Sequence, residues 1–252
     1  MQKFFLSGLL GILLLINPTH SSSGINFDKV DDLLSCGTAD TMLQENAAQT
    51  ISIWIYPLSV GLNNFGRMIN KGDGIGDVFF HLNATAGISF RVNGGTQLVR
   101  ISANNSITLN TWQHVLYTWD GGVTASNVHI YVNGTEVSYA TTTNGATPTD
   151  NGALTIYIGN RDTGTRTFDG IINEVAVWSS VLSAQDIAIL SKSRVKRIPL
   201  QINPSTLKAY WPLDEQPDGT SGDADSFFDM STGGNTCTGN NGADNLGLTA
   251  KA

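Results

Sequence analysis

Once the first 23 residues are set aside, three histidines remain, His81, His114 and His129, and none stands in a pattern that would make it a catalyst or a metal ligand. A serine nucleophile on a strand-to-helix elbow needs G-x-S-x-G, and a zinc site needs H-E-x-x-H or paired C-x-x-C; the chain has neither. General acid–base catalysis needs two carboxylates that reach one substrate. Asp214 and Glu215 are neighbours, which a strand would turn to opposite faces, and Glu174 sits between Asn173 and Val175. No single strand carries an acid/base pair, although carboxylates from different strands could converge. His114, inside an apolar strand, is most simply a hydrogen-bonded core histidine.

Aromatic side chains offer a different chemistry, stacking against a flat apolar ligand with a polar handle at the rim. Residues 51–56 put Ile51, Ile53 and Ile55 on one face and Ser52, Trp54 and Tyr56 on the other. Residues 128–132 bury Val128, Ile130 and Val132 and leave His129 and Tyr131. Leu154, Ile156 and Ile158 leave Tyr157, while Val175 and Val177 leave Glu174 and Trp178. The set Trp54, Tyr56, His129, Tyr131, Tyr157 and Trp178 is the candidate ligand-binding face, of the kind a sugar-stacking groove uses. The competing reading is that some of these rings, Trp54 first, fill a second core layer beneath loops.

To present such rings the chain must be a stack of short strands, and its turns say that it is. Residues 50–56 end at Pro57; residues 78–82, 88–92 and 98–101 are separated by 83–87 and by Asn93-Gly94-Gly95. Residues 112–119 end at Asp120-Gly121, residues 128–132 at Asn133-Gly134, and residues 154–158 at Gly159. Repeated Asx-Gly turns between alternating runs indicate antiparallel hairpins, and their spacing favours a β-sandwich over any α/β arrangement. Charged residues make up only 14% of the chain, so hydroxyls and amides keep this surface wet. The net charge of −7 argues against a nucleic-acid partner, which needs a basic surface. One basic run at 192–197 reads as a solvated helix end.

The densest signal is residues 168–190, F-D-G-I-I-N-E-V-A-V-W-S-S-V-L-S-A-Q-D-I-A-I-L. Asp169-Gly170 opens a strand in which Ile172 falls out of step. Ser183 then starts a short helix near 183–192, with Asp186 as its capping-box partner and Ile187 and Leu190 as its apolar stripe. The stretch resembles the closing motif of the laminin-G-like, concanavalin A-like lectin/glucanase jelly-roll domains, close to F-x-G-x-I-D-E-V-R-I-Y-N-R-A-L-S. Five further pieces follow that family's order. Residues 27–34 are similar to F-D-G-x-D-D-Y-V, 50–57 to T-I-S-A-W-V-K-P, and 70–73 to S-K-G-D. Residues 110–121 are similar to G-x-W-H-H-V-A…Y-D-G, and 129–134 to L-Y-V-D-G. The resemblance implies an all-β, antiparallel jelly-roll β-sandwich that binds rather than catalyses. Glucanases of this superfamily carry E-x-D-x-E on one strand, which is missing here, so a glycoside hydrolase with a nonstandard acidic pair stays only as an alternative.

The family's opening element, A-Y-W-x-F-D-E followed by D-x-S-G-N-G-N-x-G, is matched only at the C-terminal end, in A-Y-W-P-L-D-E and D-M-S-T-G-G-N-T-C-T-G. The expectation is that residues 207–252 fold back to complete the sheet, with 207–213 beside 173–178, because an uncapped edge would recruit another chain. The main body is then 24–191, joined by a linker at 192–206, in one domain over 24–252. That linker could instead pass the segment to a neighbour, giving oligomerisation by strand exchange. The resemblance also implies a structural calcium, with Asn173, Asp229 and Asn235 at the matching positions. Asn173 stands where the family has Asp, which costs one negative charge.

Residues 1–23 read as a signal peptide, with Lys3 before an apolar run too short to span a bilayer. Export permits one bridge between Cys36 and Cys237, while the phase of Cys36 with Leu34 equally suits a small core residue. The expected protein is secreted, with no membrane span after signal removal. It is a non-catalytic, lectin-like module recognising glycan or a protein surface; a structural or adhesion subunit is the alternative.

Overall fold

The computed structural model describes residues 24–38, 42–44, 46–72, 77–148, 154–192, 197–214 and 226–240. The expected signal peptide, residues 193–196 of the basic run, Asp73 and Glu215 lie outside them. The strands are β1 (Ile25–Asp28), β2 (Leu33–Thr38), β3 (Gln49–Pro57), β4 (Arg67–Lys71), β5 (Val78–Leu82), β6 (Ile88–Val92), β7 (Leu98–Ser102) and β8 (Gln113–Trp119). They continue with β9 (His129–Val132), β10 (Thr135–Glu136), β11 (Tyr139–Thr143), β12 (Thr155–Ile158), β13 (Asp169–Trp178), β14 (Leu207–Trp211), β15 (Ser226–Phe227) and β16 (Cys237–Asn240). One helix, α1 (Ala184–Lys192), follows β13.

All pairings are antiparallel and form two sheets, as the all-β jelly-roll expectation requires. The seven-stranded sheet runs β1-β13-β3-β8-β9-β10, with β14 also on β13; the nine-stranded sheet runs β11-β7-β6-β5-β4-β12-β2-β16-β15. Alternation decides what each strand buries. Ile51, Ile53 and Ile55 of β3 meet Val115, Tyr117, Phe80, Phe90, Ile156 and Ile158 in one core between the sheets. The Asn133-Gly134 turn between β9 and β10 has φ of 50° and 79°, the left-handed pair that a two-residue hairpin needs. Gly159 is required for a different reason: a Cβ there would lie 1.9 Å from the Phe27 ring.

β13 explains why Ile172 is out of step. Its register with β3 shifts between Asn173 and Ala176, and Glu174 takes φ 52°. This bulge resets the strand so that Ile172, Val175 and Val177 all face the core. The two halves of β13 then take different partners along one edge. β1 pairs with Asp169–Ile172, and β14 pairs with Val175–Trp178. The C-terminal segment therefore completes the sheet within its own chain, beside the predicted strand, and β16 continues the other sheet on β2.

The helix begins as its sequence demands. Asp186 N–H donates to Ser183 Oγ at 3.2 Å and Ser183 N–H donates to Asp186 Oδ2 at 3.2 Å. Ile187 and Leu190 pack on Leu116, Ala176, Trp178, Leu207 and Tyr210, a second core on the outer face of the seven-stranded sheet. Among the described residues, no helix is long and apolar enough to cross a membrane.

Candidate functional site: an aromatic platform beside the helix

Helix α1 and the turn at 198–201 cover only part of the outer face of the seven-stranded sheet. The remainder carries two aromatic pairs from neighbouring strands. Trp54 of β3 stands opposite His114 of β8 with ring centroids 5.4 Å apart, and Tyr56 lies 5.6 Å from Trp112. Trp54, Tyr56 and Trp112 are half-buried, so each keeps ring surface toward solvent while its stem is fixed. Asn173 of β13 faces Trp54 from the other side and is buried beside it. Trp112 was not among the expected ligand residues. Its signal was present, since Trp112, His114 and Leu116 share the face opposite Val115 and Tyr117.

Beneath the platform, Ser52 Oγ and His114 Nε2 are 2.7 Å apart. A serine–histidine pair at this distance is what nucleophilic catalysis uses. Both residues are buried, however, and burial presses the His114 imidazole down to about 3. Its Nδ1 has no hydrogen-bond partner among the described residues, so nothing orients the ring as a base. The pair supports the floor under Trp54, as the core-histidine reading requires.

The other expected ligand residues disperse. Trp178 has no exposed surface; it lies in the second core under α1 and donates from Nε1 to the Ile202 carbonyl at 2.7 Å. Trp178 is thus corrected from a sugar-facing ring to the buried layer, the fate expected first for Trp54. Tyr131 packs against the same second core. His129 lies near the sheet edge, its Nδ1 2.7 Å from Glu136 Oε1, an acceptor shared with the Tyr139 hydroxyl. Tyr157 belongs to the other sheet, between Asn70 and Ser35. Alternation assigns a face within a strand but not which of two sheets the strand joins.

The three expected calcium ligands do not form a set. Asp229 Oδ1 accepts from Tyr210 N–H at 2.9 Å and Ser231 N–H at 2.8 Å, and Oδ2 accepts from Asn235 N–H at 2.9 Å and Asn235 Nδ2 at 3.1 Å. The carboxylate is spent on the chain's own donors, and Asn173 stands beyond the β13 bulge, facing Trp54. Among the described residues, no group of three His, Cys, Asp or Glu side chains could hold a metal ion. Cys36 and Cys237 are bonded, with sulfurs 1.98 Å apart, and Cys36 also keeps its place in the core.

Two antiparallel sheets packed around one core, with this strand order, form a jelly-roll sandwich of the concanavalin A-like kind. The chain belongs to the Laminin_G_3 family of the concanavalin A-like lectin/glucanases superfamily, which it matches over residues 30–188. A Bacteroides ovatus ATCC 8483 protein provisionally assigned to carbohydrate binding aligns with a TM-score of 0.57 at 20% identity, over 87% of this chain and 58% of that one. The native heptameric SAP-like pentraxin of Limulus polyphemus aligns with a TM-score of 0.51 at 17% identity, over 71% and 85%. These likenesses show the fold. C-reactive protein 1.1 of Limulus polyphemus is 26% identical over 113 residues, 41% of this chain and 44% of that protein. The chain spans less than half the length of the curated relatives it matches.

Proposed function

We propose that this chain is an extracellular, non-catalytic lectin-like module that binds glycan on the platform of Trp54, Tyr56 and Trp112. The observation that carries the reading is the Tyr56–Trp112 pair, two half-exposed rings on the part of the sheet that the helix leaves bare. Sugar rings present apolar C–H faces that stack on such surfaces. The buried Cys36–Cys237 bridge supports an oxidising compartment. Calcium has no part in this reading, because Asp229 is engaged by Asn235 and backbone donors while Asn173 faces Trp54.

The test is affinity electrophoresis in gels containing a panel of neutral polysaccharides. The wild-type chain is retarded by at least one of them, and Trp112→Ala and Tyr56→Ala abolish the retardation while melting as the wild type does. Retention on a protein surface with no glycan retarding the chain would favour the adhesion reading instead.

A further inference from the structure

The outer face of the nine-stranded sheet is of a different kind from the platform. Phe79 and His81 of β5 and Arg67 of β4 all point to it, with Arg67 opposite His81 in the register. The Arg67 guanidinium carbon lies 3.7 Å from the centroid of the Phe79 ring. His81 stacks on Phe65 at 5.2 Å, and the Arg166 guanidinium lies 4.9 Å from the Phe65 centroid. Arg91 of β6 pairs with Phe79 across the ladder. The result is a row, Arg166, Phe65, His81, Phe79, Arg67, with a guanidinium stacked on a ring at each end and an uncharged imidazole between the two rings.

Arg67 is the anomaly in this row. It is only 7% exposed, and its Nε and Nη1 are buried with no hydrogen-bond partner among the described residues. A buried cation is expensive unless paired and hydrogen-bonded. Its surroundings do the reverse of pairing it. Burial pushes Arg67 down to about 9, the charges of Arg161, Arg166 and Arg91 push the same way, and Asp77 alone pulls back. Four of the chain's seven arginines therefore act on one patch of a protein whose net charge is −7. The same field reaches His81, lowered first by burial and then by Arg67.

We infer that this face binds an acidic saccharide, a sugar ring bearing a carboxylate, with the carboxylate received at Arg67 between Arg91 and Arg166. The planar fork of a guanidinium matches a carboxylate, and its flat seating on Phe79 fixes the fork in advance. The rings beside it select the body of the ligand. A carboxylate attached directly to a sugar ring keeps its charge and its apolar face at one fixed spacing, matching cations set beside the half-buried Phe65. An acidic peptide would have to immobilise several flexible side chains to do the same. This site lies on the opposite sheet from the platform and does not depend on it.

Binding is read by titration calorimetry with polygalacturonate, its fully methyl-esterified form, dextran and polyglutamate. Polygalacturonate binds, and esterification, which removes the charge from the same backbone, abolishes binding. Arg67→Met weakens it by roughly tenfold or more. Should Arg67→Met fail to fold, Arg91→Gln and Arg166→Gln, both at half-buried positions, each weaken polygalacturonate binding with an unchanged melt. Trp112→Ala leaves polygalacturonate binding intact, which separates this site from the platform. Equal binding of the ester, equal binding of polyglutamate, or undiminished binding by folded arginine variants would overturn the inference.

Discussion

The Tyr210 hydroxyl donates to Glu174 Oε2 at 2.7 Å, joining the C-terminal strand to the bulge of β13. Arg197 N–H in turn donates to the same hydroxyl at 2.9 Å. Glu174 is 5% exposed and sits at φ 52°, so a buried carboxylate occupies the point where the sheet changes partner from β1 to β14. Burial, and then the Glu174 charge, push the Tyr210 phenol well above its ordinary value, which keeps it a donor at every physiological pH.

Removing that donor has a defined cost. Tyr210→Phe keeps the ring in the second core but withdraws a hydrogen bond from a buried carboxylate, so it should destabilise the fold by about 1–3 kcal/mol. Urea denaturation of the two proteins checks this. A midpoint that does not move would mean that Glu174 finds an equivalent donor elsewhere.

Two tryptophans on one sheet face should behave oppositely. Trp178→Ala empties a fully buried site and orphans the Ile202 carbonyl, a loss of about 3–5 kcal/mol. Trp112→Ala, at a half-buried position, should cost about 1 kcal/mol or less and be felt in ligand binding. Thermal melts and polysaccharide retardation on both variants give the comparison. Equal destabilisation would contradict the division of this face.

Acid should unfold the protein through its buried histidines. His114 is held down to about 3 and His81 well below its ordinary 6.5, so below pH 6.5 the unfolded chain binds two protons that the native one refuses. Asp32, pushed up to about 7 by burial, opposes them with one proton held in the native state between about pH 4 and 7. Two minus one leaves the unfolded state richer by one proton. Stability should therefore fall by about 1.4 kcal/mol for each pH unit near pH 5, and by less above pH 6, where the unfolded histidines are only part-protonated. His114→Gln, which keeps a donor for Ser52, should flatten the slope. An unchanged slope in denaturation curves at pH 7, 6 and 5 would rule out the histidine origin.

Asp229 is the test of whether its loop is held by donors or by a metal. Asp229→Ala strands backbone N–H groups of Tyr210, Ser231 and Asn235 and should cost about 1.5–3 kcal/mol. The loss should be the same in chelator and in excess calcium. A wild-type melt that drops with chelator, and a variant melt that does not, would restore the calcium reading.

The parts of this fold that alternate were legible in the chain. Residues 78–82, 88–92 and 128–132 became strands; the opening element was found at the C-terminal end by its resemblance to the family motif, and the need to cap an edge placed it beside 173–178. β4 escaped notice for a physical reason. Arg67, Asn70 and Lys71 are polar yet buried, and Lys71 turns inward to donate from Nζ to the Leu43 carbonyl at 2.7 Å. A strand that buries polar residues on both faces does not show the period-two pattern. β11 was missed because its exposed threonines lie at a sheet edge and carry no apolar stripe. The platform was half legible: Trp54 and Tyr56 followed from the phase of β3. Trp112 needed the register of β8, and the exclusion of Trp178 needed the docking of α1.

The pairing of β2 with β16 has a consequence for how the protein is made. Ser35 meets Thr238 in that ladder, and Cys36 meets Cys237 across a separation of 201 residues. A ribosome adding about 5–20 residues per second completes β2 roughly 10–40 s before its partner exists. During that interval the nascent chain cannot close its sandwich, however favourable the finished core. Oxidation of the two cysteines must await β16, so the bridge is a latch that an early strand sets only once a late one has arrived.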